Sequence, residues 1–280
     1  MGQTPGSGRG LPVPPERWSH AVRGPAGGWS AGCQRSVSGG AQHRPMTAAT
    51  TLPPGRTLGV LGGMGPAATA EFLRLLATDV PASRDQEHPR IVMLSDPTVP
   101  DRTAAILGDD TEAARRIRKH LFTLVEWGAD LLAIPCNTAH ALLDDIASEL
   151  PAPLVDIVDA TLDEAVRLSP EGGWLTATTG TVASGLYQKR AATRGYPLHV
   201  PGDAEQERVH AAAGLVKAGR TDEAADGFQD VVESLWRRRS LPVLAACTEL
   251  PLAHRASALP PESMVSSLQA LSRACVAALL

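Results

Sequence analysis

The chain has 280 residues, 43% apolar and 20% charged, with 26 Lys+Arg against 30 Asp+Glu and a formal net charge of −4. That length allows one large domain or two small ones, at ~100–200 residues each. No run approaches the ~18 uninterrupted apolar residues of a membrane span, and mild acidity with 4% aromatics excludes phosphate-backbone binding and base-stacking platforms.

Residues 1–45 hold 10 Gly and 6 Pro, with five Arg against one Glu, so they carry +4 and the remaining 235 residues carry −8. Such a density of backbone breakers predicts a disordered tail over 1–54. No compact apolar core of a secretory signal precedes Met46, and the Gly and Pro content prevents the amphipathic helix of a transit peptide; Met46 is read as the functional start. Cys33, Cys136, Cys247 and Cys275 show no Cys-x-x-Cys spacing and no His cluster at ligand intervals. No metal site or disulfide framework is therefore expected, and a reducing cytoplasm is. Cys275 lies in a terminal helical pattern, Leu271 to Leu280, where a small buried hydrophobe is expected.

From Thr57 onward short apolar runs alternate with amphipathic stretches. Strands are predicted at Leu58–Leu61, Ile91–Leu94, Asp130–Pro135, Leu154–Val155, Trp174–Ala177, Leu198–Val200 and Leu241–Ala246. Helices are predicted between them at Ala67–Asp79, Thr111–Trp127, Ala139–Leu150, Asp159–Leu168, Ser184–Arg194, Asp203–Ala218 and Thr221–Arg239. Apolar strands separated by crossover helices imply an α/β protein with parallel sheets covered on both faces, arranged as two lobes. The expected boundaries are 55–157 for the first lobe, 158–254 for the second, and 255–280 for a helix returning to the first.

In such sheets ligands sit beyond the carboxyl ends of the strands. Four loops fall there: Gly62-Gly-Met-Gly-Pro66, Pro135-Cys-Asn-Thr-Ala-His140, Thr178-Thr-Gly-Thr181 and Cys247-Thr-Glu249. In two of them an apolar strand runs directly into a cysteine followed by an amide or hydroxyl residue. A thiol at an electropositive helix start becomes accessible as thiolate near neutral pH. Cys136 with His140 would make a nucleophile and base, though His140 lies one helical turn on and could equally cap its helix or fix a loop. Two thiols at matching strand ends allow something different. One thiolate removes a proton from a carbon, the other thiol returns one from the opposite face, and the carbon inverts without a cofactor, as long as nearby dipoles and cations support the carbanion. Each cysteine alone could instead be a buried hydrophobe.

Taken in order, Gly59-Val-Leu-Gly-Gly-Met-Gly-Pro66 with Ala68-Thr69, Asp85-Gln-Glu-His-Pro89, Pro100-Asp-Arg-Thr103 and Pro135-Cys-Asn-Thr-Ala-His140 form a specific pattern. It continues through Thr178-Thr-Gly-Thr181, Ser184-Gly-Leu-Tyr187, Val216-Lys-Ala-Gly219 and Cys247-Thr-Glu-Leu250. From about Thr57 to Leu252 the sequence resembles the cofactor-independent aspartate/glutamate racemase family, in particular its aspartate racemase type. The resemblance implies two Rossmann-like lobes in a pseudo-two-fold arrangement with the site in the cleft between them, a small acidic amino acid as substrate, no cofactor, and a homodimer. It implies that Cys136 and Cys247 are the acid/base thiols and that Arg102 and Lys217 neutralise substrate carboxylates, which suits a guanidinium fork and an ammonium point charge. It further implies that Asn137, Thr138 and Thr248 hold the α-carboxylate or ammonium, that Thr179, Gly180 and Thr181 offer amides, and that Met64 and Gly65 close the cleft wall. For Arg102 a surface ion pair with Asp101 or Asp96 is the plainer role, and for Lys217 an interaction with its helix dipole.

The sequence departs from that family at three places. Ala246 precedes the second cysteine where the family usually has Gly, Ser95-Asp96 stand where many relatives have Asn, and Val265-Ser-Ser267 replaces an apolar residue followed by Asp-Pro. Rival readings are a related isomerase of the same superfamily, a non-catalytic amino-acid-binding protein, and a nicotinamide-binding protein. The last rests on Gly63-Met-Gly-Pro-Ala-Ala68, a G-x-G-x-x-A fingerprint, but the acid expected ~20 residues on would be Asp96, 33 residues after Gly63.

Overall fold

The computed structural model describes residues 55–143, 146 and 149–280; the tail expected over 1–54 lies outside the described residues. The first half lays down β1 (Leu58–Gly62), α1 (Pro66–Asp79), β2 (Ile91–Ser95), α2 (Arg102–Gly108), α3 (Glu112–Glu126), β3 (Leu131–Ala133), α4 (Asn137–His140) and β4 (Leu154–Val155). The second half follows with α5 (Ile157–Leu168), β5 (Gly173–Ala177), α6 (Thr179–Ser184), α7 (Leu186–Thr193), β6 (Leu198–His199), α8 (Asp203–Lys217) and α9 (Thr221–Arg238). It ends with β7 (Val243–Ala246), α10 (Leu250–Ala256), β8 (Met264–Ser266) and α11 (Ser267–Leu279). All strands pair in parallel, in two four-stranded sheets of order β2-β1-β3-β4 and β6-β5-β7-β8. The second order repeats the first, with β3 and β7 in equivalent places. This is the two-lobed parallel α/β architecture that the sequence predicts.

Alternation along the central strands sorts their side chains into three apolar layers. Val60, Leu131, Ala133, Leu175, Ala177, Leu244 and Ala246 point into a layer formed by α1, α5, α7 and α11 and shared by both sheets. Leu61, Leu132 and Ile134 face outward onto α3, whose buried Ala113, Ile117, Leu121 and Leu124 follow helical spacing. Trp174, Val243 and Ala245 face outward onto α8, α9 and α10. The lobes therefore meet through a common core rather than through a linker.

Several elements differ from their sequence expectation. The helix expected from Ala139 to Leu150 stops as α4 at His140, because the chain tightens into i→i+3 bonds, Ala141 to Thr138, Leu142 to Ala139 and Leu143 to His140. Its apolar spacing is nonetheless used: Leu143 and Ile146 are buried in the outer core of the first lobe. The helix expected from Ser184 to Arg194 is two helices, since Gly185 adopts a left-handed φ of 68° that ends α6. Residues 255–280 first supply β8 to the second sheet and then α11, which packs on α1 and α5. Helix α2 and strand β8 are too short to carry a periodic signal. Ala246, the first family departure, is fully buried in the shared layer, and Ser266 caps α11 by accepting from the Gln269 amide.

Phe72 of α1 is fully buried in the shared layer. Its replacement by Ala should cost about 3–5 kcal/mol. Because both sheets rest on that layer, denaturant unfolding followed by tryptophan fluorescence and by far-ultraviolet circular dichroism should give one coincident transition, shifted as a unit in Phe72→Ala. Separate transitions for the two probes would contradict a common core.

Candidate active site

Both cysteines sit at the carboxyl edges of their sheets. Cys136 follows β3 in extended conformation and is the N-terminal cap of α4; Cys247 directly follows β7. They are 5% and 3% exposed and line one cavity from opposite lobes, with a cavity volume of only ≈ 10 Å³ between the walls. This is smaller than the ~300–1,000 Å³ of ordinary ligand pockets, so the lobes are closed on each other. A roomier groove of ≈ 460 Å³ lies among α1, α5, α10 and α11 but holds neither thiol. Chemistry, not size, selects the site.

The same cavity gathers Met64, Arg102, Asn137, Thr138, Lys217 and Thr248 of the predicted residues, and adds Asp101, Thr103, Thr178 and Glu249. Gly65, Thr179, Gly180 and Thr181 stand behind that wall rather than on it. The Gly65 amide donates to Glu249 Oε1 at 3.2 Å and the Thr179 amide to His210 Nδ1 at 3.2 Å. The Thr138, Thr178 and Thr181 hydroxyls lie 2.9–3.0 Å from one another, a triangle that ties the Cys136 loop to the start of α6. At Gly180 an added Cβ would stand 2.8 Å from Thr103 Cα, so glycine is what lets α6 close onto α2.

Polar side chains around the first thiol are committed to holding it in place. Asn137, 1% exposed, accepts from the Tyr187 hydroxyl at 2.6 Å and donates to Ser267 Oγ at 2.9 Å, which leaves its main chain to face the cavity. His140 is equally buried; burial pulls its pKa below the ordinary 6.5, outweighing the nearby Asp156 carboxylate. The neutral ring donates from Nδ1 to the Cys136 carbonyl at 2.9 Å and accepts the Ile157 amide on Nε2 at 3.5 Å, a tautomer that follows from its partners. Both nitrogens serve the main chain. Of the two roles open to His140 in the sequence, the loop-fixing one is observed.

The cations are held differently. Arg102, 9% exposed, donates from Nη1 to the carbonyls of Val99 and Pro100 and from Nη2 to that of Met64, at 3.1–3.3 Å, while its buried Nε has no partner. Lys217 ends α8, exposed along its outer side, and extends over the cavity past Gly65. Partial burial alone would pull its pKa down, but Glu249 and the two cysteines hold it up, so it is an ammonium. Glu249, 2% exposed, accepts from Cys247 Sγ and from Thr248 Oγ1, each at 3.2 Å on Oε2. Burial pushes the Cys247 thiol well above its usual range, the Glu249 carboxylate adds to that rise, and Lys217 opposes it.

A family model described as Asp/Glu/Hydantoin racemase matches residues 61–275. The chain belongs to that family. It is 27% identical over 232 residues to the "Broad specificity amino-acid racemase RacX" of Bacillus subtilis strain 168, a match covering 80% of this chain and 98% of that protein. Among solved structures it resembles the Picrophilus torridus aspartate racemase with a TM-score of 0.71 and 27% identity, over 80% of this chain and 94% of that one. An aspartate racemase homologue from Pyrococcus horikoshii OT3 shares the fold, with a TM-score of 0.62 and 21% identity over 80% and 98% of the two chains.

Within this family member, Glu249 is the wall residue that sequence reasoning passed over. Sequence places this acid two positions after Cys247 in a strand-end loop; only the fold shows it buried against the thiol. Asp101 and Thr103 flank Arg102 and were legible only as its neighbours. Asp96, the second family departure, stays out of the cavity: Thr98, His120 and Arg116 hold it, and the Thr98 hydroxyl bond leads in keeping its carboxyl well below the usual range. The dinucleotide reading loses its loop, since the Gly65 amide that would meet a phosphate is given to Glu249. Among the described residues no cluster of His, Cys, Asp and Glu could hold a metal ion.

Two measurements probe this packing. Below the unfolded pKa of ~6.5 the unfolded chain binds a proton at this histidine that folded His140 refuses, so stability should fall as pH drops from 7 toward 5. The fall should be shallower in His140→Asn, and an unchanged slope would place the pH dependence elsewhere. Separately, Gly180→Ala should prop α6 off α2 and raise the rate at which iodoacetamide alkylates Cys136 and Cys247, read by site-resolved mass spectrometry; equal rates would show that the helices tolerate the methyl.

Proposed function

We propose that this protein is a cofactor-independent amino-acid racemase that acts on aspartate or glutamate with Cys136 and Cys247 as its two acid/base groups. The observation that carries this reading is the pair of thiols lining one closed cavity from equivalent strand ends of two lobes. A thiolate takes the Cα proton, the bonding electrons delocalise into the α-carboxylate as an enediolate, and the opposite thiol delivers its proton to the other face. The substrate is inverted, and one thiol and one thiolate remain, exchanged between the cysteines. Lys217 and the unpartnered Nε of Arg102 offset the growing negative charge, and Asn137 and Thr138 line the same space. No step in this scheme calls on an electron sink beyond the carboxylate.

A broader substrate range has its own support. Asp101 and Glu249 share the wall with Arg102 and Lys217, so the formal charge of these four groups is balanced, and Arg102 already serves three carbonyls. A balanced site accepts a zwitterion with an uncharged side chain as well as a dicarboxylate, in keeping with the broad specificity named for the Bacillus subtilis relative. A homodimer in a reducing cytoplasm belongs to the same reading. It is supported by three buried thiols that remain unpaired and by the exposed apolar Ile91 and Met93 on edge strand β2.

The test is incubation in deuterated water with the L-enantiomers of aspartate, glutamate, alanine and lysine. A racemase yields D-product deuterated at Cα, and aspartate or glutamate should turn over fastest. Cys136→Ser and Cys247→Ser should each lower racemisation by at least about 10³-fold, the scale of removing a catalytic acid or base. Undiminished turnover in both variants would remove the two-cysteine mechanism, and the absence of exchange with every amino acid would favour a binding protein.

A further inference from the structure

The two thiols are placed alike, yet their surroundings are not. Cys136 has a neutral histidine bonded to its carbonyl, whereas Cys247 has a carboxylate against its sulfur. Glu249 Oε1 takes the Gly65 amide from the opposite lobe; Oε2 takes the Thr248 hydroxyl and lies 3.2 Å from Cys247 Sγ. At 2% and 3% exposure, neither the carboxylate nor the sulfur has solvent to spread a second negative charge. A thiol fits this contact because S–H donates to Oε2, while a thiolate would set two anions side by side. The other charged or titratable groups facing this sulfur are Lys217 from α8, Arg102 and Asp101 at the start of α2, and Cys136 from α4. Lys217 is shared: its charge is held by Glu249 and by both cysteines, so it does not serve Cys247 alone.

We propose that Glu249 is a positioning residue that sets the resting protonation of the cysteine pair, keeping Cys247 as the thiol and thereby assigning the resting thiolate to Cys136. The inference rests on the two-cysteine reading and gives it a direction. In the resting form Cys136 sulfur accepts the proton from the broken Cα–H bond, and the S–H bond of Cys247 breaks to form the new Cα–H bond on the other face. The enzyme is left with a Cys247 thiolate beside Glu249, the disfavoured form, which is also the form that must meet the opposite enantiomer. Because free enantiomers are equal in energy, kcat/KM is the same in both directions. The bias appears instead as kcat and KM values that both differ between the enantiomers by one common factor.

The ultraviolet absorbance of thiolate is titrated through the alkaline range in the full-length protein, in Cys136→Ser and Cys247→Ser, and in each combined with Glu249→Gln. The component lost with Cys247 should move to lower pH by about one unit or more in Glu249→Gln, a tenfold change in its ionisation. The component lost with Cys136 should move by less than half as much. Glu249→Asp, which keeps the charge, should return the Cys247 component at least part-way and guards against a Gln variant that folds poorly. Kinetics with L- and D-aspartate should show the common factor in kcat and KM collapsing toward one in Glu249→Gln. A Cys247 component that stays in place, or equal movement of both components, would overturn the role of Glu249. Racemisation surviving in both single cysteine variants would instead overturn the two-cysteine reading, and it leaves the titration result standing on its own.

Discussion

The apolar layer between the two sheets is the constraint from which the site follows. Four helices, α1, α5, α7 and α11, are covered on one side by Val60 and Ala133 of the first sheet and on the other by Leu175 and Leu244 of the second. A layer buried on both faces fixes the separation and facing of the sheets, and so of the loops at their carboxyl edges. Tyr187 carries that constraint into the chemistry. Its ring is fully buried in the layer and its hydroxyl donates to Asn137, the residue after Cys136. Burial raises the Tyr187 pKa, so the hydroxyl stays a donor. Ser267, at the first turn of α11, grips the same Asn137 from the other direction.

What closes the mouth of the cleft is of another kind. The three-threonine triangle, the Gly180 approach to Thr103 and the Gly65 bond to Glu249 are buried hydrogen bonds and small-residue contacts, few in number. Each is worth about 0.5–1.5 kcal/mol net, and water replaces it when the mouth parts. The layer behind them exposes apolar surface at ~25 cal/mol per Å² if it separates. Parting the lobes at α2 and α6 therefore breaks less than separating the shared layer. Arg102 is the first residue of α2, so α2 sets a cation on the cavity wall.

Periodicity located nearly every long element, because continuous apolar strands and helices with one buried face leave a strong imprint in sequence. Leu58–Gly62 and Val243–Ala246 were readable for that reason, as was the placement of both cysteines beyond strand ends. What escaped was settled by tertiary contacts. The Ala139–Leu150 stretch has the apolar spacing of a helix and uses it for packing, but after His140 the chain tightens into i→i+3 turns. Asn137 was expected to meet substrate through side chain and backbone, and the fold puts Tyr187 and Ser267 on its side-chain amide. Glu249 was not singled out because sequence shows the type and position of an acid but not its burial. In Val265-Ser-Ser267, Ser266 caps α11, a role that its residue type suits but that only the structure locates.

The repeated strand order raises a problem that the side chains solve. Duplicated halves offer two equivalent thiols, yet the proposed proton transfer across a carbon needs an acid on one side and a base on the other at the same moment. If the surroundings matched, neither thiol would be favoured as donor, and half the resting molecules would meet a given enantiomer in the wrong form. The two loops break the equivalence with different residues just beyond the cysteine: four positions on, a histidine kept neutral by burial and turned to the main chain; two positions on, a carboxylate turned to the sulfur. The neutral ring adds no charge near Cys136, while the carboxylate does near Cys247. Lys217 feels the charge of both sulfurs, so under the proposed mechanism the choice between them falls to Glu249. The fold supplies the symmetry that opposes the thiols, and a single buried acid supplies the asymmetry that lets them differ.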